Sequence, residues 1–141
     1  MNSSMDILNE KNIHLESFYR INESALEKFK TDDFSDLEEF YKTREGILDI
    51  IRKLDEMLER VNETEGKESA IDLSLRKSIV EALDYKNNLV TRILEQDLHI
   101  LSVLETAKSE IIKELTQVRS ANKAIGAYHS GQTKSRLSEK V

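Results

Sequence analysis

The feature that most constrains the fold is a heptad pattern in the second half of the chain. From Leu73 to Ile125 the sequence runs for 53 residues without Gly or Pro. Apolar side chains recur there at spacings of three, four and seven, as on one face of a helix. One heptad position holds Leu83, Val90, Leu104, Ile111, Val118 and Ile125, with Leu94, Leu101 and Leu115 lying four residues beyond members of the series, and Ile79, Ile93, Ile100 and Ala107 widening the stripe. Such a helix needs neighbours, because it cannot bury its stripe alone.

Composition extends the helical prediction to the whole chain. Pro, Cys and Trp are absent from the 141 residues, there are only 4 Gly, and 34% of the residues are charged. Sheets need turns, and turns use Gly, Pro and Asn-Gly pairs. We therefore expect an all-α fold, an elongated antiparallel helical hairpin or bundle of three long helices with a short C-terminal segment.

The expected organisation is a single helical domain over residues 1–141. It comprises a helix over 5–30, a helix over 34–61, a loop over 62–70, a long helix over 72–126 and a tail over 127–141. Ser35 with Glu38 forms a possible capping box for the second helix, and Ser69 with Asp72 another for the third. The sequence leaves open whether the first two helices are separate or one bent helix.

Polar residues interrupt the apolar stripe of the long helix and a similar stripe of the second helix, which holds Leu37, Ile51 and Leu58. Arg44 breaks the apolar series of the second helix, and Asn87 and Asp97 occupy apolar positions of the third. Polar side chains at such positions can fix the register of helix packing at a cost in stability. We interpret Asn87 and Asp97 in that way or as simply exposed, because a buried unpaired carboxylate is expensive.

The sequence shows no pattern of residues for catalysis. His14, His99 and His129 have no metal-ligand spacing, and there is no Cys and no Gly-rich phosphate loop. No nucleophile and base stand out as a set. We expect no enzymatic activity, no catalytic residue, no cofactor and no metal site.

Charge is distributed unevenly along the chain. Residues 1–66 carry 17 acids and 9 bases, whereas from Leu115 onward five bases face one acid. An acidic body is a poor nucleic-acid binder, because phosphate contacts need clustered Lys and Arg. The basic end suits an acidic partner. The sequence has no recognisable signal peptide and no apolar run of about 20 residues, so we expect a cytoplasmic protein without membrane insertion.

The end of the long stripe is the candidate binding surface. It is predicted to bind the amphipathic helix of a partner in a helix-in-groove manner, although the same residues could form the core of the bundle or of a homodimer. The partner-binding candidates are Leu101, Leu104, Ile111, Leu115, Val118, Ile125 and Tyr128. Because Gly126 interrupts this face and Tyr128 continues it, we predict a hinge at Gly126 with Tyr128 packing back on the helix or on a partner.

Three stretches resemble the flagellar export chaperones of the FliT type. KTDDFSDLEEFYKTREGILDII contains Phe34, Leu37 and Tyr41, which match the aromatic-x-x-Leu helix opening of that family. LRKSIVEALDYKNNLVTRILEQDLHILSVL resembles its Leu-Arg start and the heptads that follow. VRSANKAIGAYHSG carries Ala127 and Tyr128, which match the Ala-Tyr that ends the long helix of the family. The tail QTKSRLSEKV has no counterpart that can be assigned.

The resemblance implies a cytoplasmic chaperone of type III flagellar export. Such a chaperone holds an amphipathic end of a secreted subunit, most often the filament-cap protein, and delivers it to the export gate. In some members the C-terminal segment folds back over the binding groove. Two alternatives stay open: an FlgN-like chaperone of hook–filament junction proteins, and a coiled-coil scaffold or dimerisation module without a substrate.

Overall fold

The computed structural model describes residues 3–68 and 72–140, with the side chains of residues 3–64 and 72–127. Over these ranges the chain forms three helices and no strand: α1 spans Ser4–Lys30, α2 spans Leu37–Glu68 and α3 spans Leu73–Lys140. The predicted all-α fold is confirmed.

The chain divides into two compact units, Met1–Val103 and Leu104–Val141. We call the first the bundle unit, which holds α1, α2 and the start of α3, and the second the terminal unit, which holds the rest of α3. A single domain was expected. The division follows the burial pattern, because every buried side chain among those described lies at or before Ile100.

Contacts between the helices give their directions within the bundle unit. Ser4 of α1 hydrogen-bonds Asn62 of α2, and Lys11 pairs with Asp55, so the two helices are antiparallel. α1 runs parallel to the start of α3, since Asn12 contacts Ala82 and Asn22 contacts Gln96. The central cluster consists of Leu15, Phe18, Ile51, Leu89 and Ile93.

A defined turn separates α1 from α2, which answers the question that the sequence left open. Asp32 has a φ of 58°, in the left-handed region that Asp tolerates better than most residues. The backbone amides of Thr31 and Asp33 both donate to the carbonyl of Lys28. Phe34 then stacks on Phe29, with 5.2 Å between the ring centres.

The predicted start of α2 is wrong by three residues. The helix begins at Leu37, and the carbonyl of Asp36 accepts from the amide of Phe40. Ser35 bonds to Asp33 instead of forming the predicted capping box. Its backbone N–H and its hydroxyl both donate to the carboxylate of Asp33, at 3.1 and 2.6 Å. Ser35 therefore stabilises the turn before α2 and does not cap the helix.

The predicted ends of α2 and α3 are also wrong. Residues 62–68 were expected in a loop but are helical, and α3 continues through Gly126 to Lys140 instead of stopping there. A glycine inside a helix costs only about 1 kcal/mol, so Gly66 and Gly126 are weak stop signals when no proline follows. The predicted hinge at Gly126 is thus absent.

The start of α3 has a local cap. The backbone N–H of Ser74 donates to the side chain of Asp72, and that of Arg76 donates to its carbonyl. An acceptor at this position satisfies backbone donors that have no partner inside the helix. Ser69, the other half of the capping box predicted here, lies outside the described residues.

The face of α3 that packs in the bundle is not the main predicted stripe. The buried positions are Ala82, Leu89, Ile93, Gln96 and Ile100. In contrast, Leu94 and Leu101 of the predicted stripe are 59% and 56% exposed, and Leu83 is 37% exposed. α3 therefore carries two neighbouring apolar series. α1 and α2 cover mainly the one that seemed secondary, and of the main stripe Val90 is packed against the central cluster.

Candidate functional site

A polar layer crosses the interior of the bundle unit. The guanidinium of Arg44 lies 3.0 Å from the carboxylate of Asp97. The side-chain amide of Asn22 donates to Gln96 at 3.1 Å and to Asp97 at 3.4 Å. Gln96 in turn donates to the carbonyl of Tyr19 at 3.1 Å. This layer joins all three helices and leaves Asp97 engaged, so it is a structural contact and offers no free acid or base.

The turn between α1 and α2 borders a surface cavity of about 290 Å³. Of its charged lining residues, Lys28 forms an ion pair with Asp36, and Asp33 accepts hydrogen bonds from Ser35. The hydrogen bonds from Ser35 hold the pKa of Asp33 below its usual value, and the hydrogen bond to Asp36 holds the pKa of Lys28 above its usual value. These contacts stabilise the turn, because each favours the charged form of its group.

A second cavity, of about 510 Å³, lies between α1 and α3. At its rim the hydroxyl of Tyr85 donates to the carboxylate of Glu16 at 2.7 Å. That hydrogen bond raises the pKa of Tyr85, because the bond is made by the protonated phenol. Tyr85 and Glu16 are exposed or half-exposed, and a phenol already bound to a carboxylate is not an activated nucleophile.

The described residues include neither a cluster suited to metal binding nor a membrane-spanning helix. No group of three or more His, Cys, Asp or Glu side chains among them is placed to hold a metal ion. His14 is half-buried on α1 and His99 is exposed on α3, while the side chain of His129 lies outside the described set. Within the same residues, no helix combines the length and the apolar character needed to cross a bilayer.

The most prominent surface feature is an apolar face on the terminal unit. Ile111, Leu115, Val118 and Ile125 follow one another at spacings of four, three and seven, so they share one side of α3. Each is between 50% and 54% exposed. Isolated apolar side chains on a surface are ordinary, but a contiguous row of this length is typical of an interaction surface.

The predicted site residues fall on both units. Leu101 belongs to the bundle unit, whereas Leu104 and the four residues of the exposed face belong to the terminal unit. Leu104 is half-buried. The backbone of Tyr128 is helical, but its side chain is outside the described set. The predicted packing of Tyr128 against the helix therefore stays a prediction.

Several exposed apolar residues were not among the predicted site residues, and three of them lie close to the predicted stripe of α3. Leu94 and Leu98 are 59% and 70% exposed in the bundle unit, and Ile112 is 52% exposed in the terminal unit. Leu94 already stood in the heptad series. Leu98 lies four residues after Leu94 and three before Leu101, so the helical period could have placed it beside the stripe.

The two units differ in charge. Residues 1–103 carry 23 acids and 14 bases, a formal charge of −9, whereas residues 104–141 carry 4 acids and 7 bases, a formal charge of +3. The helix that bears the apolar face carries bases and acids interspersed along it: Lys108, Lys113, Arg119 and Lys123, with Glu105, Glu110 and Glu114. The terminal unit therefore combines an apolar row with a net positive charge, which suits an apolar helix of net negative charge.

Comparison of the chain with protein-family models, with curated proteins and with solved structures finds no match in any of the three.

Proposed function

We propose that the chain is a cytoplasmic chaperone of flagellar type III export, without enzymatic activity. It binds an amphipathic end of a secreted flagellar subunit, the filament-cap protein, and keeps it from polymerising until it reaches the export gate. The resemblance of three stretches to chaperones of the FliT type motivates the choice of subunit and compartment. Export-apparatus proteins are the further partners that this proposal implies.

The observation that carries the proposal is the half-exposed row on the terminal unit. An apolar row at helical spacing is the surface that binds the apolar face of another helix. Secreted subunits with amphipathic ends need such cover, because exposed apolar faces drive premature association. The net positive charge of the terminal unit would favour the approach of a subunit segment that carries a net negative charge.

Replacing Leu115 and Val118 together by Asp tests the proposal. Each substitution removes apolar contact worth about 1.5–3 kcal/mol and places a carboxylate in the interface, so we expect the affinity to fall by roughly 100-fold or more. The measurement is calorimetric titration with a segment from each end of the filament-cap protein. Circular dichroism should show unchanged helicity, because both side chains are already half-exposed.

A matched control places two aspartates on the opposite side of the same helical turn. Gln117 and Ser120 are both exposed and lie off the apolar row, so Gln117→Asp with Ser120→Asp should leave the affinity unchanged. Unchanged affinity in the Leu115→Asp, Val118→Asp variant would show that the row is not part of the binding site. An equal loss of affinity in the control would show the same.

Two alternatives predict different outcomes. An FlgN-like chaperone would bind hook–filament junction proteins in the same titration and ignore the cap protein. A scaffold or dimerisation module would bind neither, and light scattering would report an oligomer that is indifferent to removal of residues 126–141. The heptad spacing of α3 favours this second alternative, because it is also the spacing of coiled-coil association.

A further inference from the structure

The cavity between α1 and α3, called here the α1–α3 cavity, lies in the bundle unit and has no role in the proposed function. α1 lines it with residues between positions 5 and 16, and α3 lines it with residues between positions 78 and 85. These residues recur at spacings of three and four, so they share one face of each helix. The volume of about 510 Å³ is in the range of sites that bind small ligands.

The buried part of the lining contains an acceptor without a partner. Asn12 is 6% exposed, and its side-chain nitrogen donates to the carbonyl of Ala82 at 3.1 Å. Because a carbonyl can only accept, this bond fixes the orientation of the amide. The side-chain oxygen, Oδ1, is buried and has no hydrogen-bond partner among the described residues. An unpaired buried acceptor is unfavourable, so Oδ1 favours a ligand that brings a hydrogen-bond donor.

The charge of the lining indicates that this donor is a cation. Of the described residues that line the cavity, the charged ones are Glu16 and Glu81. Glu16 accepts from the hydroxyl of Tyr85 at 2.7 Å, and a carboxylate has lone pairs for further donors. Arg92 and Arg20 act on the Tyr85 phenol more weakly than Glu16 does, and neither lines the cavity.

Apolar and aromatic surface lies beside these acceptors. Met5 is half-buried in the lining, Ile13 is 57% exposed and Tyr85 is 46% exposed. Aliphatic side chains pack on the methylene stem of a long cationic side chain, and an aromatic face attracts its charged end. The lining therefore suits an aliphatic chain that ends in a cation.

An ammonium matches the acceptors better than a guanidinium does. The acceptors belong to three residues on two helices, Asn12 and Glu16 on α1 and Glu81 on α3. An ammonium carries three donors on one atom, whereas the donors of a guanidinium lie in one plane and suit a single carboxylate. A compact cation with three donors is therefore the better partner for acceptors on separate residues.

The surroundings of the cavity favour a lysine that is part of a polypeptide. The bundle unit has a formal charge of −9, which attracts a segment with several bases. The exposed side chain of Ile13 also offers apolar contact to the residues next to the lysine. A free amine has no neighbouring residues to make that contact.

We propose that the α1–α3 cavity binds a lysine side chain from a basic segment of a partner protein, with the ammonium at Glu16, Glu81 and Oδ1 of Asn12 and the stem on Met5 and Ile13. This inference goes beyond the proposed function and does not depend on it. The cavity belongs to the bundle unit, whereas the apolar row belongs to the terminal unit. The chain thus carries two binding surfaces, which select segments of opposite charge.

Nuclear magnetic resonance titration of the full chain, labelled with ¹⁵N, tests the proposal. The probe is an acetylated heptapeptide in which alanine alternates with lysine. We expect shifts of the backbone amides at positions 9–16 and 78–85 and of the side-chain amide of Asn12, because binding gives its oxygen a donor. An analogue with norleucine for every lysine keeps the stem but lacks the ammonium, so it should cause none of these shifts.

Three outcomes of the titration would overturn the proposal. Shifts spread over the acidic surface, without this cluster, would show attraction by net charge alone. An arginine analogue that binds as tightly as the lysine peptide would contradict the choice of an ammonium. Spermidine that shifts these amides when the peptide does not would assign the cavity to a free polyamine.

A pair of double variants separates the site from the overall charge. Glu16→Gln with Glu81→Gln should raise the dissociation constant of the lysine peptide about tenfold or more, because two charged acceptors are lost. Glu10→Gln with Asp84→Asn removes the same charge from the same helices at exposed positions off the lining. This control should stay within about twofold of the wild type.

Equal effects of the two double variants would contradict the assigned site. Circular dichroism checks that both variants keep their helicity. Titration with the filament-cap segments is a separate assay, and it reports on the proposed function alone.

Discussion

Arg44 is held by three groups at once. Its guanidinium carbon lies 4.7 Å from the ring centre of Phe18 and 5.0 Å from that of Phe40, and its nitrogen lies 3.0 Å from Asp97. The aromatic faces attract the cation while the carboxylate neutralises it. A charged side chain can therefore occupy an inward position of α2 without a bare charge being buried.

Replacing Arg44 by Met tests the contribution of this arrangement. The aliphatic stem is kept, but the partly buried Asp97 loses its cation, so the free energy of unfolding should fall by about 1–3 kcal/mol, between the values for exposed and buried pairs. Urea denaturation measures the change. Arg52→Met is the control, because Arg52 pairs with Asp49 on an open surface, and it should cost less than about 0.5 kcal/mol. Equal effects of the two variants would contradict this account.

The sequence marks Arg44 and Asp97 as separate interruptions of two apolar stripes. The structure shows that they are one ion pair. Periodicity within a helix could not reveal this, because the pairing depends on how α2 and α3 are placed against each other. Asn87, the third interruption, is exposed, as one of the two interpretations of the sequence held.

At the scale of the helices, local signals located the elements better than their ends. Heptad spacing and the absence of breakers predicted three helices, because these properties belong to each segment by itself. The predicted ends at 61 and 126 are wrong because α2 and α3 continue through Gly66 and Gly126. A glycine ends a helix reliably when the backbone turns left-handed, and the described glycines have no positive φ.

Alanine at Gly126 tests whether the helix is continuous there. An added methyl group would meet nothing within 4 Å, so Gly126→Ala should stabilise the local helix by about 0.5–1 kcal/mol. We expect far-UV circular dichroism to report more helix, with the unfolding transition of the bundle unit unmoved. Gly46→Ala, equally open but inside α2, should instead raise the stability of that transition by a similar amount. A helix content that does not increase in Gly126→Ala would instead support a hinge at Gly126.

For the molecule as a whole, stability is concentrated in one unit. The buried apolar side chains, from Ile7 to Ile100, all belong to the bundle unit. The described side chains from Lys108 to Ala127 are exposed. Since apolar burial is the main favourable term in folding, the bundle unit should not need the terminal unit in order to fold.

A chain ending at Val103 tests this division. We expect a cooperative thermal transition, with a free energy of unfolding within about 1 kcal/mol of the full chain when both are measured in dilute solution, where association adds little. The truncated chain should also fail to bind either filament-cap segment. A broad, non-cooperative transition would show instead that residues 104–141 complete the core.

The whole-molecule properties were predictable to different degrees. The all-α fold followed from composition and periodicity. Which of the two apolar series on α3 would be covered did not, because Leu89 and Leu94 have the same chemistry and only the placement of α1 and α2 distinguishes them. The candidate row from Ile111 to Ile125 was visible in the sequence, but its exposure was not.

The loss of burial partway along α3 has a consequence for the opening of its backbone. Amides near Leu89 and Ile100 can open only when packed side chains are released, whereas amides between Lys108 and Ala127, where the side chains are exposed, are held by hydrogen bonds of the helix alone. One continuous helix therefore spans a wide range of opening free energies. A partner that covers the terminal unit would slow amide hydrogen–deuterium exchange there. The exchange rates of these amides therefore distinguish the bound state of this surface from the free state.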